Sequence, residues 1–305
     1  MTDTETMRSG FVAVIGAPNA GKSTLINHLV GTKVSIVSPK VQTTRTRVIG
    51  IAMQGTSQIV FVDTPGIFKA HDNKRLEKAM VAAAWEGTAD ADMILLIVDA
   101  SRGFTKDVRA IVERLAEGPK GRKTALVLNK IDRLRPPALL DISGEMNAAY
   151  PFDATFMVSA LKGRGTQDIL SYLAKSLPEG PYMYPEDHVT DMPMRLMAAE
   201  ITREKLFHEL RQELPYELTV ETENWEDFDD GSVKIEQAVI VAREAHKKII
   251  LGEGGAMIGK VGQASRIELE EIMETRVHLK LFVKVRENWM EKAEHFALWG
   301  LDPKA

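Results

Sequence analysis

Residues 16–23 read Gly16-Ala17-Pro18-Asn19-Ala20-Gly21-Lys22-Ser23. They match G-x-x-x-x-G-K-[ST], the pattern of the phosphate-binding P-loop. An apolar, β-branched run over residues 11–15 precedes them, and apolar residues at helical spacing follow over residues 24–30. This order of strand, loop and helix lets backbone N–H groups and the helix N-terminus surround phosphate oxygens. The pattern predicts that Lys22 reaches the β- and γ-phosphates and that the Ser23 hydroxyl binds Mg²⁺.

The composition limits the class of protein. A chain of 305 residues suggests about two domains, and the absence of cysteine excludes disulfides, thiolate zinc sites and cysteine nucleophiles. The first residues are polar and acidic without a signal-peptide pattern, and apolar runs such as residues 93–98 are too short to span a bilayer. A net charge of −4 argues against strong overall attraction to polyanions but permits a local basic face. We therefore expect a cytoplasmic protein.

A long polar loop follows the first predicted helix. Residues 38–47 contain a proline and several basic residues and show no clear period. Long loops between periodic segments are often functional. Thr43 and Thr44 lie about twenty residues after the P-loop, where a GTPase switch needs a hydroxyl on Mg²⁺. The spacing leaves open which of the two threonines has this role.

A second phosphate motif follows a predicted hairpin. Apolar runs over residues 48–53 and 59–62 flank a turn-like segment, and the second run ends in Asp63-Thr64-Pro65-Gly66. Asp63 at a strand end can hold Mg²⁺ through water, and the Gly66 N–H can face a γ-phosphate. Ile67 occupies the position at which Ras-like switches place a water-orienting glutamine. Because isoleucine has no polar group, we expect slow intrinsic hydrolysis.

Asn19 is a candidate for holding a monovalent cation such as K⁺, which could replace an arginine finger. The alternative role for Asn19 is a side-chain hydrogen bond that stabilises the loop.

Two further motifs select the nucleotide. The predicted strand 124–128 ends in Asn129-Lys130-Ile131-Asp132, and the strand 156–158 leads into Ser159-Ala160-Leu161. A carboxylate at Asp132 can accept hydrogen bonds from N1–H and N2–H₂ of guanine, whereas adenine would leave it unpaired. The methylene stem of Lys130 can lie on the plane of the base, and Asn129 can connect residues 129–132 to the P-loop. A backbone N–H after Ser159 would donate to guanine O6. Together the motifs predict GTP and GDP binding with Mg²⁺.

The alternation of strands and helices predicts an α/β fold with a mostly parallel sheet covered on both faces. The nucleotide is then expected at the carboxyl ends of the strands, and the hairpin adds one antiparallel strand. We predict a GTPase domain over residues 8–177, a Pro-rich linker over 178–192 and a second domain over 193–305. The predicted nucleotide contacts are Gly16, Ala17, Pro18, Asn19, Ala20, Gly21, Lys22, Ser23, Thr24, Asp63, Thr64, Pro65, Gly66, Ile67, Asn129, Lys130, Ile131, Asp132, Ser159, Ala160 and Leu161.

The second half predicts an α+β domain. Its pattern suggests a helix over residues 193–213, an acidic solvated loop over 221–230 and a docking helix over 289–301. Strands are predicted over residues 216–222, 233–242, 246–251 and 277–286. Two helices joined by a G-x-x-G turn at residues 259–262 would form a KH module, which clamps about four single-stranded nucleotides. The predicted RNA contacts are Ile258, Gly259, Lys260, Val261, Gly262, Arg266 and Lys280.

The chain resembles the bacterial Era-type GTPases over nearly its whole length. The resemblance rests on residues 16–23, 63–66 and 129–132, on Gln42-Thr43-Thr44-Arg45, on the order of the two domains and on Phe296-Ala297-Leu298-Trp299-Gly300. It implies a type II KH domain, GTP hydrolysis, and assistance to small (30S) subunit assembly and 16S rRNA 3′-end maturation through binding of the 16S 3′ end. It also implies loose contact with the inner membrane face.

The resemblance also assigns roles to single residues. It favours Thr44 over Thr43 as the switch threonine, with Lys22, Thr44 and Gly66 catalytic and Ser23, Thr44 and Asp63 at the metal. The run Gly252-Glu253-Gly254-Gly255 is less familiar. We expect the protein to act as a monomer.

Three alternative functions stay open. The chain could be a constitutive RNA-binding module in which GTP is only a structural ligand. It could be a GTPase for tRNA modification or another assembly step, although those relatives usually carry a different partner domain. An ATP-dependent kinase is disfavoured by Asp132.

Overall fold

The computed structural model describes residues 6–38, 40, 44–45, 47–70, 75–118, 121–211, 214–291 and 301–302. The described residues form two compact units. The first lies within Met1–Ser35, Thr44–Asp191 and Ala297–Ala305, and the second within Ile36–Thr43 and Met192–Phe296. Across these ranges, no helix combines the length and the apolar character that crossing a bilayer requires.

The first unit is built on a six-stranded sheet in the order β2-β3-β1-β4-β5-β6. The strands are β1 (Arg8–Ile15), β2 (Val48–Gln54), β3 (Ser57–Asp63), β4 (Met93–Asp99), β5 (Lys123–Asn129) and β6 (Ala154–Met157). Only β2 runs antiparallel to its neighbour, as the hairpin predicted. Every residue of β3 and β4 is buried. This pattern is typical of parallel strands with helices on both faces.

In the described part of this unit, five helices cover the two faces of the sheet. They are α1 (Lys22–Val30), α2 (Arg75–Ala89), α3 (Lys106–Glu117), α4 (Pro136–Ala149) and α5 (Thr166–Ser176). Side chains alternate along the strands, so Val14 and Leu95 enter a core with α1 and α5, whereas Ile15 and Leu96 enter a second core with α2, α3 and α4. The predicted α/β fold class is confirmed.

The chain after β6 and α5 stays with the first unit as far as Asp191. Ile51 N on β2 donates to Val189 O (2.8 Å), and Thr190 Oγ1 donates to Ile49 O (2.6 Å). The buried Gln58 side chain accepts from Met183 N (2.8 Å) and donates to Tyr184 O (2.7 Å). The Pro-rich segment is therefore held along the β2–β3 hairpin.

The second unit has a three-stranded sheet in the order β7-β8-β9. Its elements in chain order are α6 (Met194–Glu209), β7 (Leu218–Asp227), β8 (Val233–Val241), α7 (Glu244–Leu251), α8 (Ala256–Met273) and β9 (Val277–Val285). β8 pairs antiparallel with β7 and parallel with β9. Phe207, Val239 and Val261 belong to its core. This arrangement is the α+β fold expected for a KH module.

Two segments of the second unit differ from the sequence predictions. Residues 246–251, predicted as a strand, lie in α7, where Ile250 is buried and Ile249 is exposed. A short apolar run does not distinguish a strand from a helix turn. The acidic segment 221–230 is mostly strand β7 rather than a loop, because basic side chains neutralise it: Arg286 pairs with Glu221 (3.0 Å), Lys284 with Glu223 (2.7 Å) and Lys234 with Glu226 (3.3 Å).

The predicted G-x-x-G turn at residues 259–262 is also wrong. Helix α8 continues through Gly259 and Gly262, and the turn between α7 and α8 lies at residues 252–255 instead. Gly252, Gly254 and Gly255 have φ of 71°, 58° and 83°. L-residues with side chains rarely adopt this conformation, so these glycines form the turn.

The two ends of the second unit are partly described. Helix α6 ends at Glu209, earlier than the predicted residue 213, which is outside the described residues. Trp289–Glu291 form a short 3₁₀ turn with Trp289 fully buried. Residues 292–300 of the predicted docking helix are outside the described residues.

Matched glycine substitutions test the position of the turn. Neither Gly255 nor Gly259 has atoms within 4 Å of an added Cβ, so only backbone conformation distinguishes them. Gly255→Ala should destabilise the protein by about 1 kcal/mol because φ is positive there. Gly259→Ala should stabilise it by about 0.5–1 kcal/mol because alanine is favoured inside a helix. Urea denaturation followed by circular dichroism measures both, and the opposite ranking would contradict the observed turn.

Candidate active site and nucleic-acid interface

The four nucleotide motifs meet at one edge of the six-stranded sheet. The P-loop follows β1, residues 63–66 follow β3, residues 129–132 follow β5, and residues 159–161 come shortly after β6. Since the four strands are parallel, their carboxyl ends lie at the same edge, where ligands of open α/β sheets bind. The fold brings the predicted nucleotide contacts together.

Glycine is required at both ends of the P-loop. A Cβ on Gly16 would lie 2.3 Å from Ile97 O, and one on Gly21 would lie 2.4 Å from Asn129 Nδ2. Gly21 also has φ of 94°. Helix α1 then begins at Lys22 without a side-chain cap. Its first N–H groups are consequently available to an anion.

Lys22 is buried at the start of α1. Its Nζ donates to Gly16 O (3.2 Å) and Ala17 O (3.3 Å). Burial lowers the pKa of Lys22 to about 8, although the nearby Asp63 carboxylate acts in the opposite direction. A bound polyphosphate would favour the charged ammonium and raise this pKa again.

Three hydroxyls converge on one carboxylate oxygen of Asp63. Oδ2 accepts from Ser23 Oγ (2.8 Å), Ser35 Oγ (2.8 Å) and Thr44 Oγ1 (3.4 Å). Within the described ranges, Oδ1 is buried without a hydrogen-bond partner. Burial of the carboxyl raises the pKa of Asp63, while Lys22 and the three hydroxyls oppose that shift.

This group of oxygens fits Mg²⁺. The cation takes oxygen ligands at about 2.1 Å, so neighbouring octahedral ligands lie about 3 Å apart. Ser23 Oγ and Thr44 Oγ1 are 3.0 Å apart, and the unpaired Asp63 Oδ1 could accept from a metal-bound water. Thr44 is buried in this cluster, whereas Thr43 is outside the described residues.

Ser35 is a site residue that the sequence patterns missed. Its backbone is clamped by Asn27 of α1, whose Oδ1 accepts from Ser35 N (2.9 Å) and whose Nδ2 donates to Ser35 O (2.7 Å). The only local signal is a hydroxyl between the apolar residues Val34 and Ile36. Such a triplet is too common to predict a metal-site residue.

The segment after Asp63 lies against the P-loop. Thr64 Oγ1 donates to Val14 O (2.9 Å), and Ile67 N donates to Gly16 O (3.0 Å). A Cβ on Gly66 would lie 3.0 Å from Pro18 atoms. The Ile67 side chain is buried in the core with α2 and α3, so it offers no polar group to a water.

Asn129 joins three loops of the site. Its Nδ2 donates to Ala20 O in the P-loop (2.9 Å), and its Oδ1 accepts from Lys130 N (2.8 Å) and Ala160 N (3.0 Å). The Ala160 N–H is therefore already engaged. Leu161 N makes no hydrogen bond to any part of the described chain, which leaves it as the candidate donor to guanine O6.

Asp132 is exposed and oriented by Ser159. Ser159 Oγ donates to Asp132 Oδ1 (2.6 Å), and this hydrogen bond lowers the pKa of Asp132. The carboxylate is thus ionised at neutral pH and can accept from a base. Ile131 N donates to Val158 O (3.2 Å) and fixes the turn that presents Asp132.

The predicted RNA contacts are less favourably placed. Val261 is 1% exposed and Ile258 packs against the core, so their side chains are poorly placed to contact RNA bases. Lys260 is exposed but pairs with Glu209 (2.7 Å), and Arg266 pairs with Glu270 (3.5 Å). Gly259 and Gly262 are inside α8, while Lys280 is exposed on β9. The glycine turn at 252–255, which leads into the uncapped start of α8, is the better candidate for a phosphate clamp.

The buried lysine makes nucleotide binding depend on pH. The free protein loses the Lys22 proton as the pH rises through about 8, whereas the phosphate-bound protein should keep it. Binding above that pH must therefore take up a proton, so affinity for GDP with Mg²⁺ should fall about sevenfold between about pH 7 and about pH 8.8. Isothermal titration calorimetry measures the affinity and the proton uptake.

Lys22→Arg is the matched control, because arginine stays charged over this pH range. Whatever its absolute affinity, its pH profile should be flat. A flat profile for the unchanged protein would contradict the shifted pKa of Lys22.

Asp132→Asn tests the base assignment. The amide can donate to the O2 of xanthine but presents an NH₂ where guanine needs an acceptor. We expect GDP affinity to fall at least about a hundredfold, with a preference for xanthosine diphosphate. Competition with a fluorescent GDP analogue measures both affinities. Asp141→Asn, at an exposed position on α4, is the control, and an unchanged preference for GDP in Asp132→Asn would overturn the assignment.

Two family models match the chain. A model described as a 50S ribosome-binding GTPase matches residues 11–130, and a KH domain model matches residues 213–290. GTPase Era of Brucella suis biovar 1 (strain 1330) is 56% identical over 301 residues, covering 99% of this chain and 96% of the relative. GTPase Era of Dinoroseobacter shibae is 57% identical over 296 residues, covering 97% and 96% respectively.

Solved structures agree in fold over both units. A crystal structure of Era in complex with MgGDPNP and nucleotides 1506–1542 of 16S ribosomal RNA has a TM-score of 0.92 at 38% identity, covering 96% of this chain and 99% of that chain. An Aquifex aeolicus Era variant bound to GDP and AlF₄⁻ has a TM-score of 0.91 at 38% identity, with the same coverage. On the near-complete coverage of relatives at 56–57% identity, the chain belongs to the Era family of GTPases.

Proposed function

We propose that this protein is a GTP-hydrolysing switch that binds the 3′ region of 16S rRNA and assists assembly of the small ribosomal subunit. The observation that carries the proposal is the presence of a guanine-nucleotide site and a KH module in one chain. The solved relative with this domain order binds MgGDPNP and a 16S rRNA segment together.

In the nucleotide site, the P-loop residues 16–24 would hold the phosphates and residues 129–132 and 159–161 the base. Ser23, Thr44 and Asp63 would hold Mg²⁺, which when bound neutralises phosphate charge. Lys22 would exchange the carbonyls of Gly16 and Ala17 for phosphate oxygens. The Gly66 N–H would orient the γ-phosphate, with Thr64, Pro65 and Ile67 beside it.

Hydrolysis is proposed to be slow without an activator. The buried Ile67 side chain cannot orient a water. Asn19 is the proposed holder of K⁺, which would supply positive charge at the phosphates. Its φ of 61° is a left-handed conformation that asparagine tolerates better than most residues.

The turn at residues 252–255 is the proposed RNA clamp. KH modules hold nucleotide backbones at a glycine turn of this kind, and the N–H groups at the start of α8 add partial positive charge. Arg266 and Lys280 are proposed to support RNA from exposed positions, as are Gly259 and Lys260 on α8. The exposed Glu253 in the turn is unfavourable for phosphate and would limit non-specific RNA affinity.

The small subunit is favoured over the large one as the partner. The family model that mentions the 50S ribosome matches only residues 11–130, a segment without the KH module. The relative that carries both domains was solved with a 16S rRNA segment. We therefore propose 16S rRNA within the 30S particle as the partner.

Residues 36–40 supply a physical route from nucleotide to RNA. Within the second unit, Val37 N donates to Glu204 Oε1 (2.6 Å) on α6. Lys40 Nζ donates to Phe207 O and to Leu210 O (2.5 Å) at the C-terminal end of that helix. A lysine at this position satisfies terminal carbonyls and complements the helix dipole.

Ser35 and Thr44, the nearest described residues on either side of this segment, belong to the group of hydroxyls around Asp63. Ser35 and Thr44 both donate to Asp63 Oδ2. We propose that GTP and Mg²⁺ hold Thr44 there and keep Val37 and Lys40 bonded to α6, and that hydrolysis releases Thr44 and these two residues. RNA and GTP must then favour each other reciprocally.

The Pro-rich composition of residues 178–192 sets the proposed domain bounds. We propose a GTPase domain over residues 8–177, a linker over 178–192 and a KH domain with a C-terminal helix over 193–305. A cytoplasmic monomer is also proposed, with the peripheral contact to the inner membrane face that the family resemblance implies. The rival function, a constitutive RNA-binding module with GTP as a structural ligand, predicts negligible GTP turnover even with RNA and pre-ribosomal particles.

RNA affinity in two nucleotide states tests the switch. We expect the full chain to bind an RNA of nucleotides 1506–1542 of 16S rRNA at least about fivefold tighter with GDPNP than with GDP. Fluorescence anisotropy with labelled RNA measures both affinities. Equal affinities in the two nucleotide states would show that nucleotide binding and RNA binding are not coupled.

Lys40→Met tests the route, because it removes the ammonium and keeps the apolar stem. The ratio of the two affinities should fall to less than about twofold. Lys123→Met is the matched control, since Lys123 Nζ also donates to the carbonyl at a helix end, Ser176 O of α5 (3.4 Å), outside the segment. A Lys40→Met variant that keeps the full ratio would show that residues 36–40 do not transmit the signal.

A further inference from the structure

Asp99 is a charged residue that none of the nucleotide motifs includes. It is the last residue of β4, at the same sheet edge as the nucleotide site. The parallel register places Asp99 beside Asn129 of β5. Its side chain is only 10% exposed. A nearly buried carboxylate needs partners, and those partners indicate what it does.

Both oxygens of Asp99 are engaged. Oδ2 accepts from Lys130 Nζ (2.7 Å), and Oδ1 accepts from Ser101 N (3.0 Å) and Ser101 Oγ (2.6 Å). The two bonds from Ser101 fix the orientation of the carboxylate. Burial raises the pKa of Asp99, but the hydrogen bonds from Lys130 and Ser101 outweigh it and hold the pKa below its ordinary value.

Lys130 is held at two points. Its Nζ donates to Asn19 O in the P-loop (2.6 Å) as well as to Asp99. Its backbone has φ of 63°, in the left-handed region that residues other than glycine seldom adopt. A free lysine has many rotamers, and a charge-assisted bond to a fixed carboxylate removes most of them.

We propose that Asp99 is a positioning residue for guanine-nucleotide binding. It holds the extended Lys130 side chain against the P-loop, so that the methylene stem is ready to cover the base that Asp132 receives. This inference rests on the proposed function. Asp99 would therefore determine how long the nucleotide stays bound and would not affect the rate of the hydrolysis step.

Dissociation of a fluorescent mant-GDP from the full chain, with Mg²⁺, is the direct test. Asp99→Asn keeps the shape and the acceptor for Ser101 but loses the charge. We expect dissociation about tenfold faster, with KM for GTP raised and kcat at saturating GTP within about twofold of the unchanged protein. Asp99→Glu can still reach Lys130, so its mant-GDP dissociation rate should be close to that of the unchanged protein.

A double-mutant cycle separates positioning from a structural role. Lys130→Met should also speed dissociation, and adding Asp99→Asn to it should change the rate by less than about twofold, because the two residues act as one unit. Additive effects would mean that Asp99 stabilises only its own turn. An unchanged rate in Asp99→Asn alone would also overturn the inference.

Asp92→Asn is the matched control. Asp92 lies just before the opposite end of β4, and its Oδ2 accepts from Phe11 N (2.8 Å). This variant should lower the melting temperature without changing the mant-GDP dissociation rate. Failure of the unchanged protein to bind mant-GDP would instead refute the proposed function, so the two failures can be distinguished.

Discussion

The nucleotide site depends on one buried carboxylate oxygen. Oδ2 of Asp63 accepts hydrogen bonds from Ser23 at the start of α1, from Ser35 and from Thr44, and so joins three separate parts of the chain. An ionised group taken out of water is costly unless hydrogen bonds or a cation compensate for it. The three hydroxyls compensate in part, and a metal-bound water donating to the unpaired Oδ1 would complete the compensation. The ligand-binding geometry is therefore built into the fold.

Most of the first unit could be predicted because phosphate and base recognition need particular residue types at particular strand ends. The alternation of strands and helices and the four nucleotide motifs can be recognised in short stretches of the sequence. Ser35 and Asp99 could not be found that way, because their roles come from tertiary placement. Asn27 holds the backbone of Ser35 beside the Asp63 site, and the β4–β5 register brings Asp99 close to Lys130.

The second unit shows the limit of local patterns more clearly. Two glycine pairs with the same spacing, at 252–255 and 259–262, compete for the turn. Spacing cannot decide between them; the positive φ values of the first pair do. Neither Gly259 nor Gly262 is among the glycines with positive φ, so both fit the helical backbone of α8.

The segment along β2 has a consequence for the solubility of the first unit. β2 is the outer strand of the sheet, and an outer strand presents unpaired N–H and C=O groups that invite pairing with another chain. Val189 O accepts a hydrogen bond from one of these groups, the Ile51 N–H. Tyr184 packs against apolar residues of the hairpin. A chain shortened at residue 177 would keep every nucleotide motif and yet expose this edge. The segment between the domains thus also protects the sheet from self-association.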